Sequence, residues 1–320
     1  MDEIGLLEPF DRMLADLFSS ATVRQIENGA LDPEIWNTLE ASGFLDALVC
    51  EASGGANLSF AAVLPLFLAL GRRAVPLPVG ETMVARALLT QTGSDHRQGP
   101  IVLGVQSLIF PGAQHANFVL TGDARGVKLQ RLDGVGTVSD RISDARDALS
   151  RKEQANGPEE DSATKIASAA AVLYSAMIVG ASEAVLEMCV DYALQRNQFG
   201  RPIARQQVLQ QNLALASEHV IAARMACETA VRHGGWPSPL AAASAKLIAS
   251  HAAPVVTGIA HGLHGAIGIS GEHDLNLLTR RIHALRLAGG AENYWAGLIG
   301  RAILADPRST LDLVREEMFS

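Results

Sequence analysis

Cysteine is scarce in this sequence. The three present, Cys50, Cys189 and Cys227, are odd in number, far apart and set in apolar surroundings. That pattern does not suit a disulfide framework or a metal knuckle, and it predicts reduced, buried thiols. Basic clusters are missing too: 26 Lys and Arg are scattered among 34 Asp and Glu, for a net charge of −8. Without a concentrated cationic face there is no groove for a phosphate backbone, so no nucleic-acid partner is expected. No stretch runs to about 18 uncharged apolar residues without a glycine or a polar break, so no membrane span is expected. The opening MDEIGLLEPF is acidic where a secretory leader would be basic, and a cytoplasmic location is expected.

What is present is apolar mass. Of 320 residues, 48% are hydrophobic and 19% charged, enough to bury a large core in one large domain or two to three small ones. The first hundred residues read as helical. LDPEIWNTLEASGF offers Asp32 as an N-cap, Pro33 as first helical residue, and Ile35, Trp36 and Leu39 on one face before Gly43. The Gly54-Gly55 pair forces a turn, Ser59 caps the next helix, and FAAVLPLFLALGRR is apolar nearly all round, as an enclosed helix is. That helix should end at Gly71, with AVPLPVG an extended connector.

Between Gly99 and Leu132 the period shortens. PIVLGVQSLIF, ANFVLTGD and GVKLQRL are β-branched-rich runs separated by Gly, Pro and Asp, which predict a small antiparallel sheet. The charge-mixed stretch from Ser139 to Lys165 reads as an exposed loop or linker. From Thr164 onward helices return. Ile166, Ala169, Ala170, Leu173 and Met177 keep helical spacing, extended by the small residues Gly180 and Ala184. Further helices are expected at 208–233, at 240–261 through Pro254, and at 291–305, together an antiparallel bundle. The fold class is mainly α with a small β domain: 1–98 an N-terminal helical domain, 99–160 a reduced middle β domain and linker, 161–320 a C-terminal four-helix bundle.

The turn between the first two bundle helices, RNQFGRPIARQQ from Arg196 to Gln207, is unusual for a surface. A guanidinium fork, an aromatic ring and exposed amides can bind a phosphodiester and stack on a base. On composition alone the commoner arrangement is that Arg196 caps its own helix and the glutamines face water. The stretch resembles the R-x-x-F-G-x-x-[IL]-x-x-x-Q signature of the acyl-CoA dehydrogenase family, flavoproteins with a helix–sheet–helix fold. Three other stretches resemble that family in the same order: WNTLEASGFLDALVCEASGGANLSF, HGLHGAIGISGEHDLNLLTRR and AGLIGRAIL. The likeness covers nearly the whole chain except the middle sheet. It implies that Arg196, Phe199 and Gln207 reach the FAD of a neighbouring subunit, with Gly265 and Gly268 forming a second turn that approaches the cofactor closely.

The resemblance stops at the chemistry. Members take a proton from the α-carbon of a CoA thioester with a glutamate while flavin accepts a hydride, and the base needs an enclosed site that raises its pKa. Counting from Arg301 and from Arg280 puts the usual glutamate at Gly289, and the alternative site falls at Ala170. Glu292 lies about one helical turn beyond and is a weak substitute, with helix capping its commoner use. The family's flavin-covering T-E-x-x-x-G-S-D loop and W-I-[TS] strand have no counterpart, TGSDH at Thr92 reads as coincidence, and Gly262 stands where a glutamine often contacts the cofactor. His261, His264 and His273 lack metal-ligand spacing and read as hydrogen-bonded structural residues. What the resemblance implies is the non-catalytic chain of an α2β2 acyl-CoA dehydrogenase. It is similar to the shortened, paired members of bacterial steroid side-chain breakdown, a homologous partner supplying the glutamate and FAD being shared at the interface. Two alternatives stay open: a homo-oligomeric FAD enzyme with Glu292 as relocated base, and a cofactor-free scaffold.

Overall fold

The computed structural model describes residues 4–93, 98–105, 112–123, 126–132 and 162–319. Five helices come first: α1 Ile4–Leu17, α2 Ser20–Glu27, α3 Pro33–Ala41, α4 Phe60–Arg72 and α5 Val79–Gln91. Local chemistry sets their ends. Asp32 accepts from Glu34 N at 3.0 Å, Ser59 from Ala62 N at 3.1 Å, and Gly54 turns the chain at φ 86°. A Cβ at Gly55 would lie 2.2 Å from Val49 O, so only glycine fits that turn. The supposed connector at 74–80 is shorter than expected, because α5 begins at Val79. Every α5 residue from Val79 to Leu89 is buried, so no apolar stripe marks the helix in the sequence.

Three short strands follow: β1 Ile101–Leu103, β2 Phe118–Asp123 and β3 Gly126–Arg131. The β2–β3 pair is antiparallel as expected, with Leu120 opposite Leu129, whereas β1 pairs with β2 in parallel, Val102 opposite Val119. The sheet is therefore mixed. Its β1 edge is drawn to α5, where Thr82 Oγ1 accepts from Ile101 N at 3.0 Å. Most of the expected linker, from 139 to 161, and part of TGSDH lie outside the described residues.

The bundle comprises α6 Ser162–Gln195, α7 Gln207–Ala230, α8 Pro239–His264, the one-turn α9 Ala266–Ile269, α10 Asp274–Leu287, α11 Glu292–Ala305 and α12 Thr310–Phe319. The four expected helices are present with ends shifted by a few residues, and α10, hidden in a stretch read as a turn, adds a fifth long one against α6. Both α6 and α8 are long and apolar enough to span a bilayer by length and composition; both bury most of that surface inside the fold. Backbones touch where α4 crosses α6. A Cβ at Gly71 would lie 2.0 Å from Met177 O, and one at Gly180 would lie 1.9 Å from Leu68 O. One hydrophobic cluster runs from Phe10 through α4, α5 and α6 to Trp295, so the N-terminal helices and the bundle share a core.

Candidate functional site

Helix α6 stops at Gln195, and the chain folds into a minimal hairpin, β4 Asn197–Gln198 against β5 Arg201–Pro202. Its two central residues, Phe199 and Gly200, have φ of 51° and 76°, the pairing that a twisted two-residue hairpin demands. Glycine or asparagine would take the first place at little cost; an aromatic there stores roughly 1–3 kcal/mol of backbone strain. Phe199 is nevertheless 95% exposed, so its ring gains nothing from this chain. The hairpin itself is firm. Arg196 N donates to Tyr192 O, Ile203 N donates to Arg196 O, both at 2.8 Å, and Ile203 is buried.

Arg196 is exposed, and its guanidinium makes no hydrogen bond or ion pair among the described residues. The possibility that it caps its own helix is thereby corrected: the backbone N–H does that work. Arg201 and Arg205 are exposed on the same turn. Gln207 is exposed as the first residue of α7, and the N-cap Gln206 offers no side-chain acceptor. Leu209 N and Gln210 N donate to Gln206 O, so the N–H groups of Gln207 and Val208 are the ones left at the start of this 24-residue helix for an outside anion.

The second turn starts at Gly265, whose φ of 64° with ψ −142° is accessible to glycine alone. No atom lies within 4 Å of where its Cβ would be, so the backbone there is open to a ligand's approach. Gly268 is the opposite case: it is buried, and a Cβ would meet His264 and Leu275 at 2.9 Å. The two turns adjoin, because His264 stacks on Tyr192 with ring centroids 4.4 Å apart. Arg24 of α2 holds the following stretch, donating to Gly271 O and Glu272 O at 3.1 Å and to Asp274 at 2.8 Å.

The positions tested for a base are closed. Gly289 is buried with φ 68°, and a Cβ there would lie 3.3 Å from the Tyr174 ring. Ala170, one turn earlier on α6, is fully buried. The hydroxyl of Tyr174 hydrogen-bonds the carboxyl of Glu81, so the ring spans from Gly289 to α5. Lys246, also fully buried, donates to Leu285 O at 3.0 Å and Arg286 O at 2.8 Å and locks the turn bearing Gly289. Glu292 opens α11 without capping it; its carboxylate pairs with Arg286. Burial, the largest single influence, pushes its pKa up, but the Arg286 hydrogen bond, its own backbone N–H and the charges of Arg286 and His251 together outweigh this and hold it below the usual range, which makes Glu292 a poor proton acceptor.

The family model for the acyl-CoA dehydrogenase C-terminal domain matches residues 161–304. Acyl-CoA dehydrogenase IpdE2 of Mycobacterium tuberculosis is 31% identical over 260 residues, covering 79% of this chain and 81% of its own. The chain belongs to the acyl-CoA dehydrogenase family. Solved structures share the fold at low identity. The ChsE4–ChsE5 complex from Mycobacterium tuberculosis covers 96% of this chain and 98% of its own at TM-score 0.78 and 17% identity. A Tcur3481–Tcur3483 steroid ACAD variant covers 95% and 98% at TM-score 0.78 and 18% identity.

Within this acyl-CoA dehydrogenase chain the expected histidines are hydrogen-bonded: His261 with Thr279 at 3.1 Å, His264 to Ala260 O at 2.9 Å, and His273 accepting from Leu275 N at 3.2 Å. Among the described residues no group could hold a metal ion. Cys189 and Cys227 are buried, and burial pushes both thiols up to about 12. Cys50 corrects the expectation of three buried thiols, since it is partly exposed beside Ser53. Sequence reasoning missed Glu81, Tyr174 and Lys246, which carry no motif. Their partners come from distant elements, and only an unexplained acid and lysine in apolar helices hinted at them.

Proposed function

We propose that this chain is the non-catalytic subunit of an α2β2 acyl-CoA dehydrogenase. It completes with Arg196, Phe199, Gln207 and Gly265 the FAD site of a homologous partner, the buried Gly268 only packing beneath the Gly265 turn, and that partner carries the catalytic glutamate. The observation that carries this reading is the hairpin: a strained, fully presented Phe199 beside an unpaired Arg196 has a physical reason only if something outside the chain covers it. The residues fit a dinucleotide. A guanidinium and open helix N–H groups suit a pyrophosphate, the ring suits the adenine, and Gly265 leaves its backbone approachable. Bound FAD would supply a two-electron acceptor for desaturation of a CoA thioester. This chain would bind and orient it without moving a proton, since Gly289 and Ala170 offer no acid and Glu292 is held by Arg286.

A steroid side-chain thioester is the proposed substrate class, supported by the shared fold with a steroid ACAD. The test is expression of this chain alone and together with a homologous, glutamate-bearing subunit, followed by the visible spectrum and turnover of each preparation. A colourless, inactive single chain and a yellow, active pair are expected; a yellow, active homo-oligomer would overturn the proposal.

A further inference from the structure

We propose that His264 is a positioning residue that fixes the Arg196 hairpin and the Gly265 turn relative to one another, and so sets the shape of the surface offered to the partner's dinucleotide. The inference rests on the function proposed above and goes beyond it. The two turns are far apart in sequence, and His264 touches the supports of both. One face of its ring stacks on Tyr192 at 4.4 Å and 29°, and Tyr192 O accepts the N–H of Arg196. On another side it meets His273 edge-on at 5.2 Å, and His273 caps α10. Its own backbone runs directly into Gly265, and Gly268 packs against its Cβ.

The ring's orientation is fixed as well. Ala260 O can only accept, so Nδ1 carries the proton and donates to it at 2.9 Å. The bond to Ala260 O orients the ring in either protonation state, and burial beside Tyr192 and His273 is what disfavours its charge. Its titratable neighbours are Tyr192 from α6, His261 from α8 and His273 ahead of α10, with no carboxylate among the groups acting on it. Burial first, then His273 and His261, hold its pKa below the ordinary histidine range, against an opposing contribution from the Ala260 hydrogen bond. With the folded value depressed, the arrangement is fully favoured above the ordinary histidine pKa of about 6.5 and loses stability as pH falls below it.

The test uses the co-expressed complex, with FAD affinity measured between pH 5 and 8 for wild type, His264→Phe and His264→Ala. Phenylalanine keeps the stack and removes the titration. Wild-type affinity should hold through about pH 6.5 and decline only as pH falls further, through the depressed folded value of His264; His264→Phe should bind within about threefold of wild type at neutral pH without that acid decline, and His264→Ala should lose on the order of tenfold at every pH. An alanine variant that binds like wild type, or a phenylalanine variant that keeps the acid decline, would overturn the proposal. If the alanine variant fails to fold, the phenylalanine pH profile still decides. Amide exchange at 197–201 reads the link without flavin: it should quicken in His264→Ala and not in His264→Phe, and an unchanged rate in both also counts against the role. Arg196→Ala in the same complex separates the two claims. Flavin retained there refutes the shared-site reading, whatever His264 does.

Discussion

Phe199 carries the clearest trade between stability and proposed function in this molecule. Its left-handed backbone costs the free chain energy that glycine would not spend, and its exposed ring returns none. Phe199→Gly should therefore stabilise the isolated chain by about 1 kcal/mol while weakening FAD retention in the complex, read by thermal melts and flavin titration. A variant that melts lower, with flavin binding intact, would show that the ring serves this chain instead. At Gly289 the expectation is the reverse of a simple repair. Gly289→Glu should not create turnover in the isolated chain and should lower its melting temperature, because a side chain at φ 68° would press on the Tyr174 ring. Restored turnover would show that the site is open after all.

Glu81 extends this view across two elements. Burial raises its carboxyl to about 7, against smaller lowering contributions from its own backbone N–H, Arg281 and Tyr174. A raised folded value means stability present below the unfolded carboxyl range and lost as pH rises from about 4.5 toward 7. Glu81→Gln should flatten that decline in melting temperature and leave turnover of the complex unchanged. Lost turnover would make Glu81 a base. Arg24 acts at the same scale by tying α2 to the stretch ahead of α10. Arg24→Ala should speed amide exchange at Gly271–Asp274 and weaken FAD binding, the exchange map being the check.

Elements also show what the sequence made legible. Helices with one apolar face, and ends marked by Asp32 and Ser59, could be read from spacing because a half-exposed helix writes its environment into its period. The turns at Arg196 and Gly265 were legible through their resemblance to the family's signature stretches, while the hairpin was not, since Phe199 runs against the residue preference of its backbone. By contrast α5 is enclosed all round and carries Glu81 and Arg86 inside, so it shows no stripe; Arg86 is matched by Glu40 and Asp46, both outside α5. In α10 the arginines answer Glu27 and Glu292, again invisible locally. The parallel β1–β2 pairing depends on the docking of β1 against α5, a tertiary fact. For the same reason Tyr174 beside Gly289 and His264 on Tyr192 could not be foreseen: each contact joins residues far apart along the chain.

As a whole, the chain is one fold with two different surfaces. Inside, the place where a family member would hold its base is packed solid by Gly289, Tyr174 and Lys246. Outside, an acidic protein presents a cationic, aromatic turn next to an open glycine backbone. Those features are complementary only if cofactor and base belong to another chain. The amount of FAD per polypeptide in the purified, co-expressed assembly tests this most directly, with the isolated chain as its control. One FAD for every two chains is expected in the assembly and none on the isolated chain; one FAD per chain, or a flavin-loaded isolated chain, would contradict a site shared in this way.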